Sequence, residues 1–580
     1  SQHPQQLKKH RSYYIHFMAG VLMILFINVI STFLMLGFDF TADKRYTISD
    51  ASLQFVEQLN EPMELTVYLD GDIPVGFKRL AATAEYVSNR YHRISKGNFS
   101  IKFEIPGQGL GDSSKAILYD SLQQIGIHPA NVTSQQQSQS QRKETLVFPG
   151  AILSSANGQV GIDFLEGQNN MAGQDALVNA EAQMEYKITR AIKILQRTES
   201  PVVGYLLGNG EVLDLRVYDL IENVLKKEYG FGLINIDSLP FIPQQFDILM
   251  VNRPSIPFGE QQKLKLDQYI MNGGKVIWAL DNVYASLDSL QKSNGSFLAF
   301  DMGLQLDDLL FKYGVRINRD LVQDLESDQV PSIVGNMGNQ PQIQLLPWPY
   351  APLVGDPAYH PISRNLDKVL TAFPQSIDTV SSHGITKSIL LSGSAYGRKL
   401  STPALVEWKP VKTEDDLKNF NEKNIPIAVL LEGTFVSAYK NRMAPKEQVE
   451  MEAKSGVKFK ETSLEPNQMI VVADGDIFTN PISESDGPLD MGSNRYTRIT
   501  YGNKEFLKNI LFYLSDGEEL LFARAKNFQL RLLDKEKLGS EQSFWRLFNL
   551  LAPLLLPVLC LTMVRFNRKR KYSGSIVQQA

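Results

Sequence analysis

The chain has 580 residues, of which 43% are hydrophobic and 21% charged, so it can bury several cores and two or three domains are expected. A formal net charge of -4 gives no overall electrostatic reason to bind nucleic acid. The single cysteine, Cys560, excludes a disulfide framework and a thiol metal site.

The first element predicted is a membrane span. A short cytoplasmic stretch, 1–12, contains the basic run Lys8 to Arg11, and residues 13–38 then hold no Asp, Glu, Lys or Arg. Basic residues ahead of such a run place its N-terminal end in the cytoplasm. The run is longer than a usual signal-peptide core and no small-residue cleavage site follows it, so an uncleaved anchor is expected. Asn28, Ser31 and Thr32 are polar within it and are expected to face another membrane helix, either of a partner or of this same chain.

Residues 39–198 are expected to form a first extracytoplasmic α/β domain. The stretch after Arg45 reads as a short helix with Ser49 or Asp50 as its N-cap. Leu65 to Leu69, a helix around Phe77 to Ile94, and Phe99 to Ile105 follow as strand, helix and strand, the order of a parallel crossover. The acidic turn Asp70-Gly71-Asp72 ends the first of these strands. Ser134 to Gln141 is a polar low-complexity run, expected as a loop. Two apolar runs around Ala156-Asn157-Gly158 read as paired strands. From Asp175 to Gln196, Leu177, Ala180, Met184, Ile188, Ala191 and Leu195 recur at helical spacing as a core stripe.

A second extracytoplasmic domain is expected over 199–535. Val202 to Leu207 reads as a buried strand ending in Gly208-Asn209-Gly210-Glu211, and Leu213, Val217, Leu220, Ile221, Val224 and Leu225 then mark a helix. Three more apolar strands follow, the last two flanking a helix from Gly259 to Met271 that Gly273-Gly274 would terminate. Such alternation predicts open parallel sheets of flavodoxin or glutamine-amidotransferase type. An insert over about 301–460 departs from it. There Gln344 to Pro361 is rich in proline and aromatics and is expected as an ordered loop presenting Trp348, Tyr350 and Tyr359 to a partner or to carbohydrate, unless the rings pack on their own domain. Two runs beginning near Thr386 and Ile425 look like strands of the same or an appended sheet, and Asn441 to Phe459 is charged and loop-like.

The last element is a second span, 544–565, uncharged between Arg546 and Arg565 and followed by a basic tail, 566–580. About twenty apolar residues suffice to cross a bilayer, and the flanking basic cluster puts this end in the cytoplasm as well. Pro553 and Pro557 suggest a span packed against another helix, which would satisfy the freed carbonyls. The expected whole is an α/β chain whose large extracytoplasmic portion is anchored by one transmembrane helix at each end, with both termini cytoplasmic.

Chemistry is tested against this frame and mostly rejected. Gly208-Asn209-Gly210 can offer N–H groups to an anion, but Leu213 stands where a dinucleotide fingerprint needs its third glycine, and a plain tight turn is the favoured reading. No G-x-x-x-x-G-K-[ST] occurs, so ATP hydrolysis belongs to a partner. The lone cysteine lies in the span and cannot serve an amidotransferase-like thiol mechanism. Near Gly393, Ser394 falls one position early for a nucleophile elbow. No H-E-x-x-H or paired histidine spacing supports zinc. No catalytic residue, metal ligand or cofactor is therefore assigned. Asn209, Gly210, Glu211, Asp281, Asp474 and Asp476 all follow predicted strands and are the candidate ligand crevice, because open α/β sheets bind ligands outside their carboxyl ends.

Residues 204–211, 246–281 and 469–480, the segment 506–524 leading to the last span, the Lys44 to Ser49 entry and both spans together resemble the auxiliary-component family of ABC transport systems, in its gliding-motility (GldG) branch. The likeness runs over nearly the whole chain. It implies a non-catalytic subunit of a bacterial inner membrane, its bulk periplasmic, that pairs with a multi-span permease (GldF-like) and through it with a cytoplasmic ATPase (GldA-like), the lipid bilayer being its other partner. Relatives carry His between the two glycines of the first turn where this chain has Asn209, so no acid–base role carries over to that position. Two further readings stay open: a tethered amidotransferase-like hydrolase using the central sheet, and a scaffold binding cell-envelope glycan through the aromatic stretch.

Overall fold

A computed structural model describes residues 18–23, 25–26, 47–135, 142–167, 173–293, 295–337, 340–408, 414–517 and 541–573. Residues 1–528 form one compact unit and 529–580 another.

The first unit begins with helix α1 (Asp50–Glu57), capped by Ser49, whose Oγ accepts from the Ser52 amide at 3.3 Å. Strand β1 (Met63–Val67) runs parallel to β2 (Phe99–Phe103) across helix α2 (Val75–Ile94), the expected crossover, with Met63 opposite Phe99. After helix α3 (Asp112–Ile125) comes a separate hairpin of β3 (Ala130–Gln135) and β4 (Arg142–Val147); the rest of the polar run, 136–141, lies outside the described residues. Strands β5 (Gly150–Ser155) and β6 (Gly158–Asp163) then pair antiparallel about the expected turn, and the sheet order is β2-β1-β5-β6.

Helix α4 (Gly173–Gln196) carries the predicted apolar stripe into the core of this sheet, through Ala180, Met184, Ile188 and Leu195. Its opposite side is buried too. Tyr186 belongs to the core of the central sheet, where its ring meets Phe512 edge-on at 6.2 Å.

The central sheet contains β7 (Val202–Leu207), β8 (Gly230–Asn235), β9 (Ile248–Asn252), β10 (Lys275–Ala279), β11 (Ile385–Ser392), β12 (Pro426–Gly433) and β13 (Asn467–Val472), in the order β11-β12-β13-β10-β9-β7-β8. The five strands from β13 to β8 are mutually parallel, whereas β12 and β11 are antiparallel to their neighbours. The sheet is therefore mixed, which corrects the expectation of parallel sheets: the segment joining β12 to β13 returns at the same end, and such a return makes antiparallel neighbours. Strands β9, β10 and β13 are covered on both faces, hence their continuous apolar sequences. Met250, Ile277 and Ile470 meet helix α6 (Asn503–Asp516) on one side; Leu249, Trp278 and Val471 meet helix α5 (Glu260–Met271) on the other.

Three local expectations are corrected. The helix marked by Leu213 to Leu225 is a 3-10 turn at Leu215–Val217 followed by π-type turns over Asp219–Leu225, and Leu213 is exposed. Asn441 to Phe459 holds a helix, Pro445–Ser455, with proline in its first turn and Gly456 as its left-handed cap; it buries nothing, so no apolar stripe announced it. The proline-rich stretch is a long strand, Gln340–Val354, paired with Ser327–Met337. Its prolines are tolerated because beyond that one partner it is bonded only at Leu353 and Val354, so most of its length is an edge. Trp348 and Tyr350 are 2% and 6% exposed and pack with Phe373 and Trp408, whereas Tyr359 is open to solvent.

In the second unit, helix α7 (Gln542–Ser573) contains the whole of the later expected span, Pro553 and Pro557 included. Residues 18–23 and 25–26 of the earlier span are helical; Asn28, Ser31 and Thr32 lie outside the described residues. Among the described residues no helix is long and apolar enough to cross a membrane, and most of the earlier expected span lies outside that set.

Candidate binding crevice at the sheet edge

The parallel strands of the central sheet all deliver their carboxyl ends to one edge. Strand β7 ends in the Gly208 to Glu211 turn, β9 in Arg253, β10 in Asp281 and β13 in Asp474-Gly475-Asp476. Hydrogen bonding between neighbouring strands sets these ends side by side, so four segments distant in sequence meet here.

Arg253 lies at the middle of the group. Its Nη1 is 3.0 Å from Asp476 Oδ1 and its Nε 3.4 Å from Asp281 Oδ2. Its backbone is left-handed, with φ of 52°, an uncommon conformation for a side-chain-bearing residue and one that clusters at functional sites. Gly475 makes the approach possible: a Cβ there would stand 2.7 Å from both Arg253 Cγ and Asp281 Oδ2.

The carboxylates differ in environment. Asp474 is fully buried and accepts from the amides of Ala372 at 2.9 Å and Asp476 at 2.8 Å; burial, then Asp281 and Asp476, push its pKa well up. Asp281 accepts from the Gly475 amide at 2.8 Å, and burial followed by the Asp476 charge pushes it up to about 6, with Arg253 opposing. Asp476 in the first place, with Asp281 and Asp474, holds the Arg253 guanidinium charged against its burial. Asp281 and Asp474 thus brace loops from behind and turn away from solvent, an arrangement unlike an acid–base pair open to substrate.

The turn after β7 closes on itself. The Asn209 amide donates to Glu211 Oε2 at 2.8 Å, so the turn's own carboxylate occupies the place an anion would take. Asn209 is buried, and its Nδ2 donates to Pro257 O at 3.1 Å and Gln262 Oε1 at 2.9 Å. Gly210 has φ of 73° and lies against Ser255, which donates to its carbonyl at 3.0 Å. Burial raises the Glu211 pKa.

A cavity of about 380 Å³ opens against this edge, within the range of small-molecule sites. Of the six sequence candidates, Asp476 lines it; Asp281 and Asp474 stand behind Arg253, and Asn209, Gly210 and Glu211 form the neighbouring turn. Sequence reasoning missed Arg253, Arg216 and Arg495, which all line the cavity. Arg253 was findable, since it directly follows an apolar strand in a sheet whose carboxyl ends form the crevice. Arg216 and Arg495 come from irregular segments with no periodic signal. Arg216 is paired with Asp214 and sits near enough to Arg253 for the two charges to repel. The apolar wall includes Trp348, Leu370 and Ile482. Trp348 therefore belongs to the insert's core and faces this cavity, and the buried rings offer no exposed platform for a surface glycan.

Among the described residues no group of three His, Cys, Asp or Glu side chains could hold a metal ion.

Comparison with known proteins places the central region. A family model described as an ABC-type uncharacterized transport system matches residues 200–510, more than half of the chain, and one described as a domain of unknown function matches residues 42–154. No curated protein matches. Among solved structures, the chain is similar to the mmIFT52 N-terminal domain at 11% identity and a TM-score of 0.29, over 55% of this chain and 98% of that one. It is also similar to the exo-beta-1,4-mannosidase Op5Man5 from Opitutaceae bacterium strain TAV5 at 10% identity and a TM-score of 0.18, over 52% and 35% respectively. At these scores neither likeness carries an argument about this chain.

Proposed function

The chain belongs to the family of ABC-type uncharacterized transport systems, as an auxiliary and non-catalytic component, and from that premise we propose that it is the membrane-anchored subunit that pairs with a multi-span permease in a gliding-motility transporter. ATP is hydrolysed by a separate cytoplasmic subunit, and the large α/β unit stands on the periplasmic side, where its sheet-edge cavity receives the substrate or an envelope partner. Asn209, Gly210, Glu211, Asp281, Asp474 and Asp476 shape that crevice, Asp476 from within it and the others as its frame.

The family match over residues 200–510 carries this reading. Helix α7 supports the anchoring. Phe548, Leu551, Leu555, Leu559 and Val564 are all exposed along it, and exposed apolar side chains of this size suit lipid better than water. Asn28, Ser31, Thr32, Pro553 and Pro557 are the proposed contacts with the permease helices.

Purification of the full chain in mild detergent is expected to bring down a multi-span permease together with an ATPase. Recovery of the chain alone under several such conditions overturns the pairing.

A further inference from the structure

The lining of the sheet-edge cavity is unbalanced in its hydrogen bonding. Its acceptors are engaged by the protein. Asp328 accepts from the Tyr501 hydroxyl at 2.7 Å and from Asn494 Nδ2 at 2.6 Å, and Asp476 is paired with Arg253. Its donors are not all engaged. Arg495 packs over the Tyr496 ring at 5.4 Å and has no carboxylate partner among the described residues. Arg216 adds a third guanidinium beside Arg253, bonded through Nε and Nη2 to Asp214.

Arg253 is neutralised by Asp476 and Asp281 and Arg216 by Asp214, so among the described residues the Arg495 charge is the one left for a ligand in this partly desolvated space, and it favours an anion. Uncharged or cationic ligands would leave that charge unmet. The apolar wall adds a second requirement, since a bare inorganic ion would leave Trp348 and Leu370 uncovered.

We propose that this cavity binds a small organic anion, a carboxylate or phosphate group held by Arg495 with Arg216 beside it, and with an apolar portion lying against Trp348 and Leu370. The proposal rests on the reading of the sheet edge as the binding crevice and adds the chemical class of its ligand.

The test titrates the full chain in lipid nanodiscs with phenyl phosphate, phenylacetate, inorganic phosphate and benzyl alcohol, using calorimetry. Phenyl phosphate or phenylacetate is expected to bind, the stronger of the two identifying the acidic group, and benzyl alcohol and inorganic phosphate more weakly by about tenfold or more. Arg495→Gln, which orphans no carboxylate, is expected to weaken the anion by about tenfold, with Arg495→Lys keeping most of the affinity. Benzyl alcohol binding as tightly as the anions overturns the proposal, as does unchanged affinity in Arg495→Gln or no binding of either aromatic anion at millimolar concentration. Co-purification of a permease from the same preparation is scored separately, so the subunit assignment can stand while the ligand class falls, and the reverse.

Discussion

Arg253 shows how one residue can organise a sheet edge. It ends a central strand in a left-handed conformation, lies against Gly475, and holds Asp476 and Asp281 with its guanidinium. Burial leaves Asp281 with a pKa of about 6, raised from the ordinary value of 3.8. An acid whose pKa is raised by folding binds its proton more tightly in the folded state. Its contribution to stability is therefore complete below pH 3.8 and is lost as pH rises through about 6. Relative to Asp281→Asn, the wild type is expected to lose on the order of 3 kcal/mol between pH 4 and pH 7, measured by urea denaturation across that range. Parallel stability curves for the two proteins would show that Asp281 ionises as freely folded as unfolded. The sequence marked Asp281, Asp474 and Asp476 as strand-end acids. It did not mark their counter-charge, because a salt bridge between strands that are neighbours only in the sheet leaves no spacing signal.

At the level of elements, α4 and α6 bind the first sheet to the central one through buried charge. Lys508 on α6 donates to Glu166 Oε1 at 2.6 Å and lies 3.6 Å from Glu228 Oε1. Arg190 on α4 bonds Glu228, and Arg197, the residue after α4, bonds Asp516 at the end of α6. Lys187 donates to the carbonyls of Asp163, Phe164 and Glu166, closing the segment that leaves β6. Burial alone would raise the Glu166 pKa, but Lys508 and Lys187 outweigh it and hold the carboxylate ionised. Lys508→Met is expected to destabilise the chain by about 1 to 3 kcal/mol, since it takes the partner from the half-buried Glu166 while Glu228 keeps Arg190. Adding Glu166→Gln should recover part of the loss, and a double-mutant cycle in urea would measure it. Strict additivity would mean that the pair does not couple. The apolar stripe of α4 was legible from its period, whereas the burial of its charged side was not: charge on a helix ordinarily signals solvent, and only packing against a second core reverses that.

At the level of the whole molecule, the prediction concerns topology. The proposed topology puts both basic flanks in the cytoplasm, so tags at either end are expected to resist a membrane-impermeant reagent in spheroplasts. A Glu484→Cys variant, at an exposed position of the α/β unit, is expected to be labelled. The native Cys560 lies within the expected span and should contribute little background. Labelling of either end in intact spheroplasts would remove the basis for a two-anchor subunit.

The sequence by itself determined the alternating architecture, the two apolar runs with their basic flanks, the crossover around α2 and the hairpin of β5 and β6. All of these rest on local periodicity or composition, which the chain carries residue by residue; the family was legible separately, as a likeness of whole segments to those of known members. Only the tertiary structure decided that β11 and β12 join the central sheet antiparallel, that Trp348 and Tyr350 turn inward from a strand, and that Arg216, Arg253 and Arg495 converge on one cavity. Those outcomes depend on which distant segments become neighbours, and neither hydrophobic period nor turn chemistry encodes that adjacency.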